Sequence, residues 1–251
     1  MHFTCDLCGM PARVRRGSIA SRYICRECFG GLAFVVPPIC RICGKRLPRG
    51  YLGTDPGVGA DLGEATCPDC RGTRRFFKMA RSVGVYDGLF KSAILALKYR
   101  GRRELARPFG ALLAEKLLHS GEMLSVDVLV PVPLHPERLI ARGYNQAELL
   151  AREVSRWTGL PILQEELVRT VCTPTQSRLP LVRRKVNPMG AFGVRTPGRV
   201  TGKRILLIDD ILTTGATANE CARSLLRAGS GEILVLTVVS GIIEKEFAPH
   251  S

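Results

Sequence analysis

Two groups of residues in this 251-residue chain have the types and spacing to do chemistry. The first is the run Ile208-Asp209-Asp210-Ile211-Leu212-Thr213-Thr214-Gly215-Ala216-Thr217. A buried strand runs into two adjacent acids, then a short Thr/Gly turn, then the start of a helix. Such a turn presents unpaired backbone N–H groups and the helix dipole adds partial positive charge, so the run predicts an anion site. Gly215 lets a phosphate approach the backbone closely. Thr213, Thr214 and Thr217 add hydroxyl donors, each hydrogen bond to a charged phosphate being worth roughly 1.5–3 kcal/mol. The acids would repel that phosphate unless they face something else. Vicinal hydroxyls of a sugar suit them, with a metal sharing the charge.

The second group is cysteine. Eight of the ten cysteines form four Cys-x-x-Cys pairs, all before residue 71. Cys5/Cys8 is followed after 16 residues by Cys25/Cys28, and Cys40/Cys43 after 23 residues by Cys67/Cys70. In a reducing compartment such pairs read as metal ligands, with disulfides or redox chemistry as the weaker alternatives. Each set of four can form one tetrahedral zinc site. Gly9 and Gly44 follow the leading pairs, a shared opening that marks an internal repeat. The repeat favours sequential over cross-braced pairing. Four thiolates leave no open position for a substrate, so both zinc ions are expected to be structural. Cys172 and Cys221 stand alone and read as small buried residues.

These residues need elements to hold them, and the chain divides near residue 72. Residues 1–72 hold the cysteine pairs with little helical periodicity. Residues 73–251 alternate strand and helix patterns. Strands are expected at Met79–Tyr86, Val126–Val132, Leu163–Thr170, Arg204–Ile208 and Glu232–Val239. Helices are expected at Leu89–Tyr99, Leu105–His119, Asn145–Trp157 and Thr217–Leu226. Asn145 with Glu148, and Thr217 with Glu220, have capping-box spacing. Cys172–Val200 shows little periodicity. Apolar strands alternating with helices argue for an α/β fold, a mainly parallel sheet with helices on both faces.

The acid-pair run closely resembles the phosphoribosyl pyrophosphate (PRPP) motif of type I phosphoribosyltransferases. Val130–Glu148, with Arg142 and Asn145, looks like the pyrophosphate loop of these enzymes, though longer than usual. Thr173-Pro-Thr-Gln176-Ser177-Arg178, followed by Arg183-Arg184-Lys185-Val-Asn187, is similar to the flexible loop that closes over PRPP. Combined with the cysteine-rich N-terminus, these phrases resemble the ComF family of competence proteins across nearly the whole chain. The resemblance implies a type I phosphoribosyltransferase fold preceded by a double zinc ribbon. It implies that Asp209 and Asp210 hold the ribose hydroxyls and Thr213–Thr217, Gly215 and Ala216 included, hold the 5′-phosphate. Mg²⁺ would bridge pyrophosphate and ribose. Gln176, Arg142 and Asn145 would contact substrate, and Arg178, Arg183, Arg184 and Lys185 would stabilise the leaving pyrophosphate. Family members handle incoming single-stranded DNA, which implies that DNA and competence proteins such as a helicase are partners. Alternatives are a transferase salvaging a nucleobase, although no base-binding hood is evident, and a PRPP sensor without turnover. No general base stands out.

The formal charge of +15 and pI near 9.8 favour polyanionic partners, or mark a soluble protein of a basic proteome. From Leu167 to Ile208 there is no acid and nine basic residues. This segment is read as a closing lid, a solvated loop or a holder of a nucleic-acid backbone. Lys98–Arg103 is a second basic stretch that could line the same cleft, bind DNA or be a solvated helix end. Two zinc sites of net charge −2 each would offset four of the seven excess positive charges in residues 1–78. Tyr144 is read as a stacking residue or a core anchor, and Trp157 as a packing residue. No apolar run approaches the roughly 18–20 residues of a membrane span. No apolar leader is visible, and a cytoplasmic location is expected.

Overall fold

The computed structural model describes residues 2–14, 18–48, 65–121, 123, 125–169 and 190–241. The N-terminal part contains a small antiparallel pair, β1 (His2–Thr4) and β2 (Pro11–Arg13), and two short helices, α1 (Arg26–Gly30) and α2 (Pro68–Arg71). There follow β3 (Met79–Val85), α3 (Gly88–Tyr99), α4 (Ala106–Leu118), β4 (Val128–Pro131), α5 (Pro136–Arg142) and α6 (Gln146–Thr158). Next come β5 (Leu167–Arg169), β6 (Phe192–Val194), α7 (Pro197–Val200), β7 (Ile205–Leu212), α8 (Ala216–Arg227) and β8 (Ile233–Ser240). Four strands form one parallel sheet in the order β3-β8-β7-β4.

Along most of their length the strands of the sheet sort their apolar residues by alternation. Leu206, Ile208, Leu234, Leu236 and Leu129 pack on one face against α3, α4 and α6. Ile205, Leu207, Ile233, Val235, Val128 and Val130 pack on the other, against Ala218, Cys221, Ala222 and Leu225 of α8. A parallel sheet with helices on both faces is the arrangement the sequence predicts.

The expected elements are present, the strand expected over Leu163–Thr170 only as Leu167–Arg169 and outside the parallel sheet, with three further corrections. The strand expected over Arg204–Ile208 continues to Leu212, so both acids lie inside it. At α8, Gly215 is the N-cap, and the first amide of the helix is met by the Thr214 hydroxyl. Glu220 is drawn instead to Arg223 and to the Gly190 N–H at 3.1 Å, so the Thr217/Glu220 capping box does not form. At α6, Asn145 does cap, accepting from the Ala147 N–H at 3.0 Å, whereas Glu148 pairs with Arg152 at 2.7 Å. Within the segment that lacked periodicity, β6 pairs antiparallel with β5.

The two cysteine clusters grip the sheet from opposite faces. Cys5, Cys25, Cys28, Ile24 and Leu32 belong to the same apolar cluster as α3, α4 and α6. Cys40, Cys43, Leu47, Cys67 and Cys70 belong to the cluster under α8. The chain between them runs along the outer edge of β3. There the Val35 N–H donates to Val83 O at 2.9 Å, Val85 N–H to Ala33 O at 2.8 Å, and Ala80 N–H to Ile42 O at 2.7 Å. The opposite edge is covered too: Leu129 N–H donates to Pro161 O and Leu163 N–H to Leu129 O, both at 2.9 Å.

Gly44 shows how closely the second cluster sits on β3. Its φ is +68°, and a Cβ there would lie 2.5 Å from Ala80 O, a backbone atom that cannot swing aside. Left-handed strain of roughly 1–2 kcal/mol and overpacking of about 1–3 kcal/mol both oppose a side chain. Gly44→Ala is therefore expected to lower the unfolding free energy by about 2–5 kcal/mol, read as a shift of the urea midpoint at constant slope. A midpoint equal to wild type would mean that the turn does not rest on the strand.

Candidate functional site

Sites in open α/β sheets form beyond the carboxyl ends of the strands. Here that end brings together the last residues of β7, the turn into α8, the loop after β4 and the last turn of α3. Asp210 is 1% exposed. Its Oδ2 lies 2.6 Å from Nζ of Lys98 on α3, and its Oδ1 accepts from Gln146 Nε2 at 3.4 Å. Gln146 Oε1 accepts in turn from the guanidinium of Arg142, which stands 5.3 Å from the Tyr99 ring centre. Asp209 Oδ1 accepts from the Asp210 N–H at 2.8 Å.

The pair of acids is electrostatically split. Burial alone would raise the Asp210 pKa, but the Lys98 ammonium overrides it and holds the carboxyl below its usual value. Burial and then the neighbouring Asp210 charge push Asp209 well above its own. For Lys98, burial acts downward, and the Asp210 carboxylate outweighs it and raises the pKa. The counter-charge that two adjacent acids demand is therefore built into the protein.

The cradle has the expected backbone. Gly215 takes φ +76° and opens α8, and the Thr214 hydroxyl accepts from the Ala216 N–H at 3.3 Å. Thr214 is buried, and Thr213, Ala216 and Thr217 are half-buried. Arg75 Nη2 donates to Thr214 O at 3.0 Å. In the loop after β4, Asn145 Nδ2 donates to Val132 O at 3.1 Å, tying the two ends of the loop together. Arg142 ends α5, where Gly143 turns left-handed. Tyr144 is a core anchor, 7% exposed, with its hydroxyl donating to Leu97 O. Trp157 carries the Arg22 guanidinium 5.3 Å from its ring centre, and Cys221 is buried. Gln176, Arg178, Arg183, Arg184, Lys185 and Cys172 lie outside the described residues.

The cysteines gather as two sequential groups, Cys5, Cys8, Cys25, Cys28 and Cys40, Cys43, Cys67, Cys70, with the four sulfurs of each within 4.8 Å of one another. The Cys43 and Cys67 sulfurs are 3.5 Å apart, those of Cys8 and Cys25 3.9 Å. Tetrahedral zinc with Zn–S bonds of about 2.3 Å separates its sulfurs by about 3.8 Å, so the groups fit that ion. Backbone N–H groups support them: Cys25 N donates to Cys5 Sγ and Cys67 N to Cys40 Sγ, both at 3.3 Å. Contact with Cys43 pulls the Cys40 thiol down, and contact with Cys40 pushes Cys43 and Cys67 up. Four sulfurs this close can all be ionised only around a cation that offsets their mutual repulsion. Among the described residues no other His, Cys, Asp or Glu group is close enough to hold a metal. No described helix is long and apolar enough to cross a membrane.

Sequence reasoning gave Gln146 and Arg75 no role of their own in the site. Lys98 begins a basic stretch that could line the same cleft, bind DNA or be a solvated helix end, and the structure places it on Asp210. One signal was available, since Phe90, Ile94 and Lys98 recur at intervals of four, placing the lysine on the buried stripe of its helix.

No family model matches the chain. It is 31% identical over 219 residues to the DNA utilization protein YhgH of Escherichia coli K12, covering 80% of this chain and 96% of that one. It is 28% identical over 219 residues to competence protein F of Haemophilus influenzae, covering 84% and 94%. It is 29% identical over 215 residues to competence protein ComFC of Bacillus subtilis, covering 82% and 79%. Similar solved structures include a glutamine PRPP amidotransferase from B. subtilis (22% identity, 54% of this chain and 26% of that one, TM-score 0.37). A purine phosphoribosyltransferase from Pyrococcus horikoshii is also similar (17% identity, 57% and 89%, TM-score 0.34). Structural likenesses at those scores add no weight. The sequence relatives suffice: at 31% identity across almost the full length of YhgH, the chain belongs to the ComF family of competence and DNA-utilization proteins.

Proposed function

We propose that the chain binds PRPP with Mg²⁺ at the carboxyl end of β7 and serves the handling of DNA taken up by the cell. The observation that carries this reading is the continuous strand–turn–helix from Ile205 to Arg227. It sets a split acid pair directly before a left-handed glycine turn and a helix N-terminus. The 5′-phosphate would lie on the amides and hydroxyls of 213–217, and Asp209 and Asp210 would face the ribose hydroxyls. Lys98 keeps Asp210 ionised and fixed for that task. Mg²⁺ would accompany PRPP and neutralise its pyrophosphate charge. Arg142 and Asn145 would border the pyrophosphate, with Gln176, Arg178, Arg183, Arg184 and Lys185 closing over it.

If the site turns substrate over, the bond from C1 of the ribose to pyrophosphate breaks and a bond from C1 to an acceptor forms. The lid cations would take the charge that develops on the leaving group. The residues brought together here offer positioning and charge stabilisation. The DNA role is supported by the names of the relatives and by a net charge of +15 that suits a polyanion such as single-stranded DNA. Competence proteins such as a helicase would be the protein partners.

Calorimetric titration of Mg-PRPP into zinc-loaded protein tests the site, with Asp209→Asn/Asp210→Asn as control and folding checked by circular dichroism. Micromolar affinity, weakened about 100-fold or more in the double variant, is expected (roughly 2.7 kcal/mol or more). Folded wild-type protein that fails to bind would overturn the reading. Pyrophosphate release with a panel of nucleobase and amine acceptors then separates a transferase from a sensor.

A further inference from the structure

The segment between the second cysteine cluster and β3 reaches the cradle directly. Asp69 lies inside the Cys67–Cys70 knuckle. Its Oδ2 is 2.9 Å from Nζ of Lys45, which follows the Cys40–Cys43 knuckle and is 4% exposed. The backbone oxygen of Asp69 accepts from Arg75 Nη2 at 3.1 Å, and the same nitrogen donates to Thr214 O at 3.0 Å. Arg75 Nη1 lies 3.1 Å from where a Cβ on Gly215 would stand. Beside it, the Phe76 N–H donates to Asn219 Oδ1 at 2.6 Å, and Asn219 Nδ2 donates to Arg74 O at 3.0 Å. Residues 74–76 are thus bonded to both the turn and the first turns of α8.

We infer that Arg75 is a positioning residue that makes the cradle turn a structural extension of the second cysteine cluster. The reason lies in peptide geometry. The C=O and N–H of one trans peptide point in opposite directions. Holding Thr214 O on Arg75 therefore fixes the direction of the Gly215 N–H, one of the donors expected to meet a phosphate. The chain Lys45–Asp69–Arg75–Thr214 passes any loosening of the closed cluster on to that donor. The consequence for PRPP rests on the function proposed above, whereas the coupling itself does not.

Amide hydrogen exchange on zinc-loaded protein reads the coupling without a ligand. The forms compared are wild type, Arg75→Met, Lys45→Met and the double variant, each checked for its fold and for bound zinc. Lys45→Met loosens Asp69 without touching a metal ligand. Arg75→Met is expected to speed exchange at residues 213–217 by about tenfold or more, with the amides of Leu234–Leu236 in the central strand unchanged. Lys45→Met should speed the same cradle amides by about threefold, and the double variant no more than Arg75→Met alone, because both act through one path. Cradle exchange within about twofold of wild type in Arg75→Met, or effects that multiply in the double variant, would overturn the inference. Where Mg-PRPP binds the wild type, Arg75→Met should weaken it about tenfold or more, roughly 1.4 kcal/mol. If the cradle amides respond as expected and Mg-PRPP does not bind, the functional proposal fails and the coupling stands.

Discussion

Lys98→Met is expected to cost the fold about 3–5 kcal/mol, because it leaves the Asp210 carboxylate buried without its counter-charge. The side chains of Lys98 and Asp210 are only 17% and 2% exposed, so water cannot replace the ammonium. Restoring neutrality with Lys98→Met/Asp210→Asn should recover most of the loss, since an amide at 210 still has Gln146 as a neighbour. Urea denaturation of the single and double variants measures both effects. A single variant within about 1 kcal/mol of wild type would mean that the pair is open to solvent. The pH dependence carries the same information with a definite sign. In the wild type the Asp210 pKa is held down, so its stabilisation is complete above the ordinary carboxylate value near 4 and lost as pH falls through the depressed value. In Lys98→Met burial governs and the pKa rises. Stability should then fall as pH rises through that raised value.

Stripping zinc should have the larger effect. Structural zinc sites in finger peptides bind with about 10–16 kcal/mol, as much as the whole stability of an ordinary domain, about 5–15 kcal/mol. Here the loss cannot stay local. One cluster shares its apolar packing with α3, α4 and α6, and the other with α8. The first cluster is also tied to α4 by Asp6 on Arg107 at 2.9 Å and by the Ala20 N–H on Glu115 at 3.1 Å. Chelation is therefore expected to move the unfolding of the entire chain to lower temperature in a single transition. Trp157, the only tryptophan, stands in α6 with the Arg22 guanidinium of the first cysteine module 5.3 Å from its ring centre, so its fluorescence reports the seam between that module and the sheet. If its fluorescence transition stays within about 2 °C of the zinc-loaded protein, the ribbons and the sheet are independent units.

Much of the site was legible because it is local. Strand, acids, turn and helix occupy about twenty consecutive residues, and each part carries its own composition. The cysteine pairing was legible for a similar reason, since the repeated Cys-x-x-Cys-Gly openings mark two units in succession. What stayed hidden are contacts across the chain. Lys98 meets Asp210 over a sequence gap that no local pattern spans, and its own neighbourhood, Tyr99-Arg100-Gly101-Arg102-Arg103, is hydrophilic. Arg75 sits among Arg71, Arg74 and Lys78, where nothing separates it from solvated charge until the fold places it on Thr214. The capping spacing at Thr217 and Glu220 misled because Gly215 had already opened the helix, leaving Glu220 to Arg223.

The covered edges of the sheet limit how this protein can meet others. A strand with free N–H and C=O groups invites a foreign peptide to add itself as one more strand. Here residues 33–42 occupy that position on β3 and Pro161–Leu163 occupy it on β4. Any partner that meets the four-stranded sheet must therefore recognise side chains on the helices and loops around it, and its affinity there will follow salt and surface substitution more than backbone complementarity. The same covering removes a template for runaway self-assembly at β3, while the long apolar run of β8, Ile233–Ser240, is already paired on both sides by β3 and β7.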